Sequence, residues 1–267
     1  MHAVDALGTL ELLGSGQWGL VTTAQADEAG VSKMRLSRLA EHGTVQRVRH
    51  GVYALPSAGA GPMQGVRAAW LATGSRPAGD GPFAVVSGQS AAAVHGLGDL
   101  LPAQYEFTTA VRRQTTQPDI RYRKQDLPEA EVTRVGGLPV TTVARTVSDL
   151  ITAGTDFDHL AVVVRDAVTT AGVGSAALVQ ALEPAAARFG SPDGKALFAR
   201  LLDAAGYRPD PLILELTAPE LQKKLLQAVM PQLEAVVAQA VAEQLRRLTP
   251  KPETRTADHR PDGKADA

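Results

Sequence analysis

Apolar residues recur along the first part of the chain at spacings that switch between helical and extended. Val4, Leu7, Leu10 and Leu13 stand three residues apart, with Ala6 and Leu12 beside them, which predicts a short amphipathic helix over 4–13. Gly14, Ser15 and Gly16 end it. Trp18, Leu20 and Val21 then alternate with small or polar residues as a short extended piece. Thr22 or Thr23 is suited to cap a second helix over 24–29, and Gly30 to stop it. Ser32 can cap a third helix running to about His42, with Leu36, Leu39 and Ala40 as its apolar positions and Met34 near them. Gly43 closes that helix. Thr44 to Leu55 reads as a hairpin with Val45 and Val48 among basic residues, Gly51 at the turn, and Val52 to Leu55 returning.

Pro56 to Pro62 is rich in Pro, Gly, Ser and Ala and reads as a linker. Beyond it the pattern predicts a helix over 63–73, a loop over 74–82, a strand over 83–86 and a helix of small residues over 87–95. Tyr105 to Thr109 and Ile120 to Arg123 alternate as strands, and Val132 to Val140 turns at Gly136 and Gly137. Thr141 or Thr142 starts a helix through Ile151. Helical segments follow near 158–171, 174–183, 192–205 and 219–248, and 249–267 has almost no bulky apolar side chain, the composition of a disordered tail. The predicted class is α+β: an N-terminal winged helix-turn-helix (1–57), a linker (58–62), a mixed α/β central domain (63–157), a helical C-terminal region (158–248) and a tail (249–267).

Composition adds limits. The 267 residues include five Phe, four Tyr and two Trp, so Leu, Val and Ala must supply most of the core. The chain has no cysteine, which removes disulfides, thiolate metal sites and cysteine nucleophiles. The first residues lack the basic start and apolar run of a signal peptide, and no window reaches the ~18 apolar residues of a membrane span. A soluble cytoplasmic protein with no membrane partner is expected. The formal net charge is −1, so any nucleic-acid surface must be local.

Such a surface is present between residues 31 and 50, where five Lys or Arg stand against one acid, Glu41. Helix, tight turn at Gly30, second helix and basic hairpin occur in the order of a winged helix-turn-helix, whose second helix enters the major groove. Ser32, Lys33, Arg35, Ser37 and Arg38 lie on the third helix. Ser32, Arg35 and Arg38 are expected to share one face, with Arg35 placed to pair with guanine. Arg47, Arg49 and His50 fall on the hairpin, where long cations suit phosphates or a narrow minor groove. Charge alone would equally describe a solvated helix face. The coincidence of turn, helix pair and basic hairpin favours DNA.

The run GLVTTAQADEAGVSKMRLSRLAEHGTVQRVRHGVYAL, residues 19–55, resembles the N-terminal domain of AbiEi-type antitoxins of type IV toxin–antitoxin systems. VVSGQSAAAVHGL, residues 85–97, and GLPVTTVARTVSDL, residues 137–150, resemble the pattern of that family's second domain. The resemblance covers about 1–150. It implies a repressor of its own operon, two copies of which bind an inverted repeat in the promoter as a homodimer on DNA. It also implies a neighbouring nucleotidyltransferase-like toxin that the antitoxin counters. The DNA contacts carried over are Ser32, Lys33, Arg35, Arg38, Arg47 and Arg49.

Other chemistry finds less support. Arg145 and Asp149 form an i,i+4 pair on a helix, a common surface feature. His95 precedes Gly96 at a helix end, where a His complements the helix dipole, and no second ligand stands at metal spacing. Gly96-Leu-Gly and Gly172-Val-Gly lack the third glycine of a dinucleotide fingerprint, and Ser87-Gly-Gln-Ser is not a nucleophile elbow. No catalytic residue, metal or cofactor is expected. Two other readings stay open: a stand-alone winged-helix regulator with a ligand- or protein-sensing C-terminal domain, and a DNA-processing enzyme targeted by its N-terminal module. Leu226, Met230, Leu233, Val237 and Ala240 also follow a coiled-coil spacing, interrupted by Pro231.

Overall fold

The computed structural model describes residues 3–74 and 84–207. All of them belong to the first of two compact units, Met1–Arg208; the second, Pro209–Ala267, lies outside the described residues. The coiled-coil spacing over 226–240 and the tail at 249–267 therefore fall outside them, as does most of the loop at 74–82. The protein is α+β, and its N-terminal part is helix-turn-helix-like.

That part begins with α1 (Ala3–Ser15), followed by β1 (Leu20–Thr22), α2 (Thr23–Glu28), α3 (Lys33–Glu41), β2 (Gln46–Arg49) and β3 (Val52–Ala54). Leu10 and Ala6 of α1, Leu36 and Leu39 of α3, and Val31 and Tyr53 share one apolar core. The extended piece after α1 is a full partner in the sheet: β1 pairs antiparallel with β3, Leu20 opposite Ala54, and the strand order is β1-β3-β2. Trp18, just before β1, has φ 61, a left-handed conformation that ordinary residues seldom adopt.

Helix α4 (Gln64–Ala72) lies between this small sheet and a second one, because both of its faces are apolar. Leu20, Val52 and Ala54 of the first sheet join Val66 and Trp70 of α4 in one core with Phe107, Leu138 and Val140 of the second. The segment called a linker runs back over Gly19 here, and Ser57 N–H donates to the Glu11 carboxylate at 3.3 Å. The second sheet holds β4 (Val85–Val86), β5 (Tyr105–Thr109), β6 (Ile120–Lys124), β7 (Val132–Val135) and β8 (Leu138–Thr141), in the order β6-β5-β4-β8-β7. It is mixed: β5–β6 and β4–β8 are parallel, β4–β5 and β7–β8 antiparallel.

Helices α5 (Gly88–His95), α6 (Val143–Thr152), α7 (Phe157–Thr169), α8 (Ser175–Leu182) and α9 (Gly194–Ala204) build a third core around Val147, Leu150, Leu160, Val164, Leu178 and Leu201. Local signals start these helices. Thr142 Oγ1 accepts from Arg145 N–H, and Asp156 and Asp193 cap α7 and α9 in the same way. Arg145 and Asp149 are paired at 3.0 Å as the i,i+4 spacing predicts, but Asp149 is buried. Arg145 also reaches Glu131, and Arg123 of β6 stands 3.8 Å from Asp149, so the pair ties helix to sheet. Burial opposes the charge of Arg145, while its bonds to Asp149 and Glu131 favour it, and its pKa is raised on balance. His95 Nε2 meets the Thr141 carbonyl at 2.7 Å, a packing contact at the end of α5. No helix among the described residues is long and apolar enough to cross a membrane.

Candidate nucleic-acid interface

The two helices that frame the basic surface are capped at their N-terminal ends by side chains close in sequence and closed at their C-terminal ends by backbone hydrogen bonds. Thr22 Oγ1 accepts from Gln25 N–H at 3.2 Å, and Gln25 Oε1 accepts from Thr22 N–H at 2.9 Å, a reciprocal cap at the start of α2. Gln25 and Gln17 also exchange amide hydrogen bonds at 2.9 Å, which satisfies two buried polar groups and pins α2 to the turn after α1. Gly30, at φ 81, closes α2, and Val31 N–H donates back to the Ala26 carbonyl at 2.8 Å. Val31 is fully buried, so the turn is held by packing as well as by backbone bonds. Ser32 then caps α3, accepting from Arg35 N–H at 3.4 Å.

At about 100° per residue, α3 divides into an inward and an outward face. Leu36 and Leu39 point into the core. Lys33, Met34, Ser37, Arg38 and Glu41 point the other way and form one wall of a groove of about 660 Å³. The hairpin supplies the other wall through Arg47, His50, Gly51 and Tyr53, and Thr23 completes it. Arg47 donates to His50 Nδ1 at 3.0 Å across the turn. Ser37 Oγ stands 3.5 Å from the Glu41 carboxylate. The groove therefore carries three long cations and a histidine against one acid, with the N-terminal end of α3 at its edge.

Of the eight residues expected from the sequence, Lys33, Ser37, Arg38, Arg47 and His50 meet in this groove. Ser32 is exposed but acts as the helix cap. Arg35 does not share a face with the groove residues: it lies on the flank of α3, half-buried, between the core face and the groove face. Residues 33, 34, 37, 38 and 41 form the outward stripe, rather than 32, 35 and 38. Met34, placed near the core by the sequence reading, is 66% exposed. The i, i+4 and i+8 positions counted from Lys33 carried that information.

Arg49 departs most from expectation. Its side chain is 10% exposed and turned toward the second sheet. Nη2 lies 3.1 Å from Asp119 Oδ1 and donates to Gln117 Oε1, and the guanidinium sits over the Tyr105 ring at 5.8 Å. The cause is a β-bulge. Arg47 pairs with Tyr53 but Arg49 pairs with Val52, so Val48 is the extra residue on β2. Adjacent positions on β3 face opposite sides of the sheet, and so do the two arginines that oppose them. Arg47 goes with Tyr53 to the groove, and Arg49 goes with Val52 to the core shared with the second sheet.

A second clasp lies at the other end of that junction. Trp18 Nε1–H donates to the Gly136 carbonyl at 2.8 Å, packs edge-on against Trp70 at 6.0 Å, and carries Arg67 over its ring at 5.1 Å. Among the described residues, no group of three or more His, Cys, Asp or Glu converges as a metal site.

Residues 10–56 match a family model described as "Transcriptional regulator, AbiEi antitoxin". The match spans β1 to β3 and both helices of the groove. Among solved structures, the crystal structure of the RV2827C protein from Mycobacterium tuberculosis aligns over 76% of this chain and 78% of that chain, at 17% identity and a TM-score of 0.44. No curated protein sequence matches the chain.

Proposed function

We propose that this protein, whose residues 10–56 match the AbiEi antitoxin regulators, is a winged-helix repressor that binds duplex DNA. In this reading α3 enters the major groove, which is wide enough for a helix, and the β2–β3 hairpin follows the adjacent backbone as the wing. The observation that carries it is the groove itself: Lys33, Arg38, Arg47 and His50 converge from helix and hairpin on one surface of a chain whose net charge is close to zero. Lys33 and Arg47 serve phosphates, and Arg38 is the side chain best placed to reach a guanine edge.

The finer reading follows the same line. Two copies occupy an inverted repeat in the promoter of the protein's own operon, in the cytoplasm, and the protein counters a nucleotidyltransferase-like toxin made from that operon. It works by binding, without catalysis. Binding of the full chain to its own upstream DNA and to scrambled DNA, across a salt series, tests the first step. Promoter-selective binding that loses selectivity in Arg38→Ala supports groove reading. Equal weak binding to both duplexes overturns it. Co-expression with the adjacent toxin gene tests the antitoxin step: growth restored by the wild-type chain supports it, and growth arrest unchanged by the chain overturns it.

A second reading, a regulator that senses a small ligand, draws on a different observation. A cleft of about 630 Å³ lies against the second sheet, bordered by Val85, Thr108, Pro139, Leu127, Glu129 and Arg134. Release of promoter DNA by a metabolite mixture, and loss of that release in Thr108→Leu, would favour sensing over antitoxicity.

A further inference from the structure

Met34 is the one large apolar side chain of α3 that the fold leaves in water. It stands in the first turn, on the groove face, between Lys33 and the Ser37–Arg38 pair, while Leu36 and Leu39 fill the core behind it. Among the described residues, none of the polar contacts involves its thioether. The groove around it is cationic, so whatever it receives is anionic at its rim and has an apolar feature at its floor. The major groove of DNA matches both requirements. Phosphates line its edges, and the one apolar group that its base pairs present is the C5-methyl of thymine. An unbranched thioether is well suited to cover a methyl group, being polarisable and free to adjust over three torsions.

We propose that Met34 is a specificity-determining residue that packs on a thymine methyl in the major groove, selecting T at the base pair read by the first turn of α3. The inference rests on the duplex-DNA reading above. It assigns Met34 a share of sequence selection separate from the charged residues: Lys33, Arg38 and Arg47 hold the duplex or hydrogen-bond to it, whereas Met34 reads a methyl group by contact alone.

The test uses the full chain and the duplex it enriches most from a random-sequence library, followed by that duplex with each thymine replaced singly by deoxyuridine, which removes only the methyl. One replacement is expected to weaken binding by the wild-type chain about four-fold, the worth of one buried methyl. Met34→Ala should bind the T and U duplexes equally. Lys33→Ala should bind more weakly overall yet keep the four-fold penalty. Met34 is exposed, so its truncation leaves the core intact, and a matching thermal melt checks this. The proposal is overturned if no replacement weakens the wild type, or if Met34→Ala keeps the penalty. If the wild-type chain enriches no duplex at all, the DNA reading itself fails, an outcome distinct from a selective protein that ignores the methyl.

Discussion

Arg47 and Arg49 are two residues apart on one strand, and the bulge at Val48 gives them different tasks that a salt series can separate. Arg47 is exposed on the groove wall. If it neutralises one phosphate, Arg47→Ala should lower the slope of log K against log salt by about 0.9 and leave the melting temperature unchanged. Arg49 is nine-tenths buried on Asp119, Gln117 and the Tyr105 ring. Its loss removes charge-assisted hydrogen bonds of about 1.5–3 kcal/mol and a cation–π contact of about 0.5–1 kcal/mol. Two features hold the total near the low end. Asp119 is half-exposed and can return to water, and Arg49 Nε is buried without an acceptor among the described residues. Arg49→Ala should therefore destabilise the fold by about 2 kcal/mol, roughly 4–8 °C for a unit of this size, with the salt slope intact. Anisotropy of a labelled promoter duplex from about 50 to 200 mM salt gives the slopes, and calorimetry gives the melts. A slope reduced by Arg49→Ala at unchanged melting temperature would refute the argument and make Arg49 a phosphate contact.

Gly137→Ala should be destabilising by roughly 2 kcal/mol, because residue 137 sits at φ 87 and a Cβ there would lie 3.2 Å from the Trp18 ring; a denaturant melt followed by tryptophan fluorescence reads both effects. Asp149→Ala should cost about 3–5 kcal/mol in urea unfolding, since it strips Arg145 of one of two partners in a buried setting; a cost below 1 kcal/mol would mean that Glu131 alone satisfies Arg145. His159, hydrogen-bonded to Asp156 at 2.8 Å, has its pKa raised by that bond and by the carboxylate's charge. Asp156 has its own lowered, first by accepting from the His159 backbone N–H and then by the side-chain bond. His159 thus contributes stability below its ordinary pKa and loses it as pH rises through the raised value; Asp156 contributes above its ordinary pKa and loses it as pH falls through the lowered value. NMR titration should show the His159 midpoint fall toward its ordinary position in Asp156→Asn, with Asp99 and Asp158 still holding it somewhat raised.

What the sequence made legible was short in range. Thr22, one of the two caps the pattern offered for α2, Ser32 before α3 and Gly30 between the helices each act over three or four residues, and each stands in the structure at its expected place. The Gly136–Gly137 turn joins β7 and β8 for the same reason. What stayed hidden depends on partners far along the chain. Arg49 meets residues about 70 positions away, and Trp18 meets Gly136 across 118 positions. Residues two apart on a regular strand share a side, and one extra residue in the register of β2 puts Arg47 and Arg49 on opposite sides instead. The parallel pairing of β5 with β6 has no local signature either, since the connection between them crosses 110–119 without a hairpin turn. Met34 and Arg35 are a different case: the stripe that meets the hairpin runs through 33, 34, 37, 38 and 41, and the helical period alone does not say which outward positions the hairpin will face.

The bulge on β2 also explains how the groove is held in position. A hairpin on a small three-stranded sheet is hard to fix, because it projects into solvent. Here the reverse side of the same hairpin is buried. Val52 and Ala54 of β3 join the core that runs through Trp70 to Phe107 and Leu138, and Arg49 locks the end of β2 onto Asp119. Trp18 secures the opposite end through Gly136, at the cost of a left-handed backbone. Groove and junction are thus two faces of one strand pair. The arginine that leaves the groove fixes the strand that carries the arginine that remains there, so the β2–β3 hairpin is held by contacts with residues 105–138 as well as by the N-terminal core on which α3 packs.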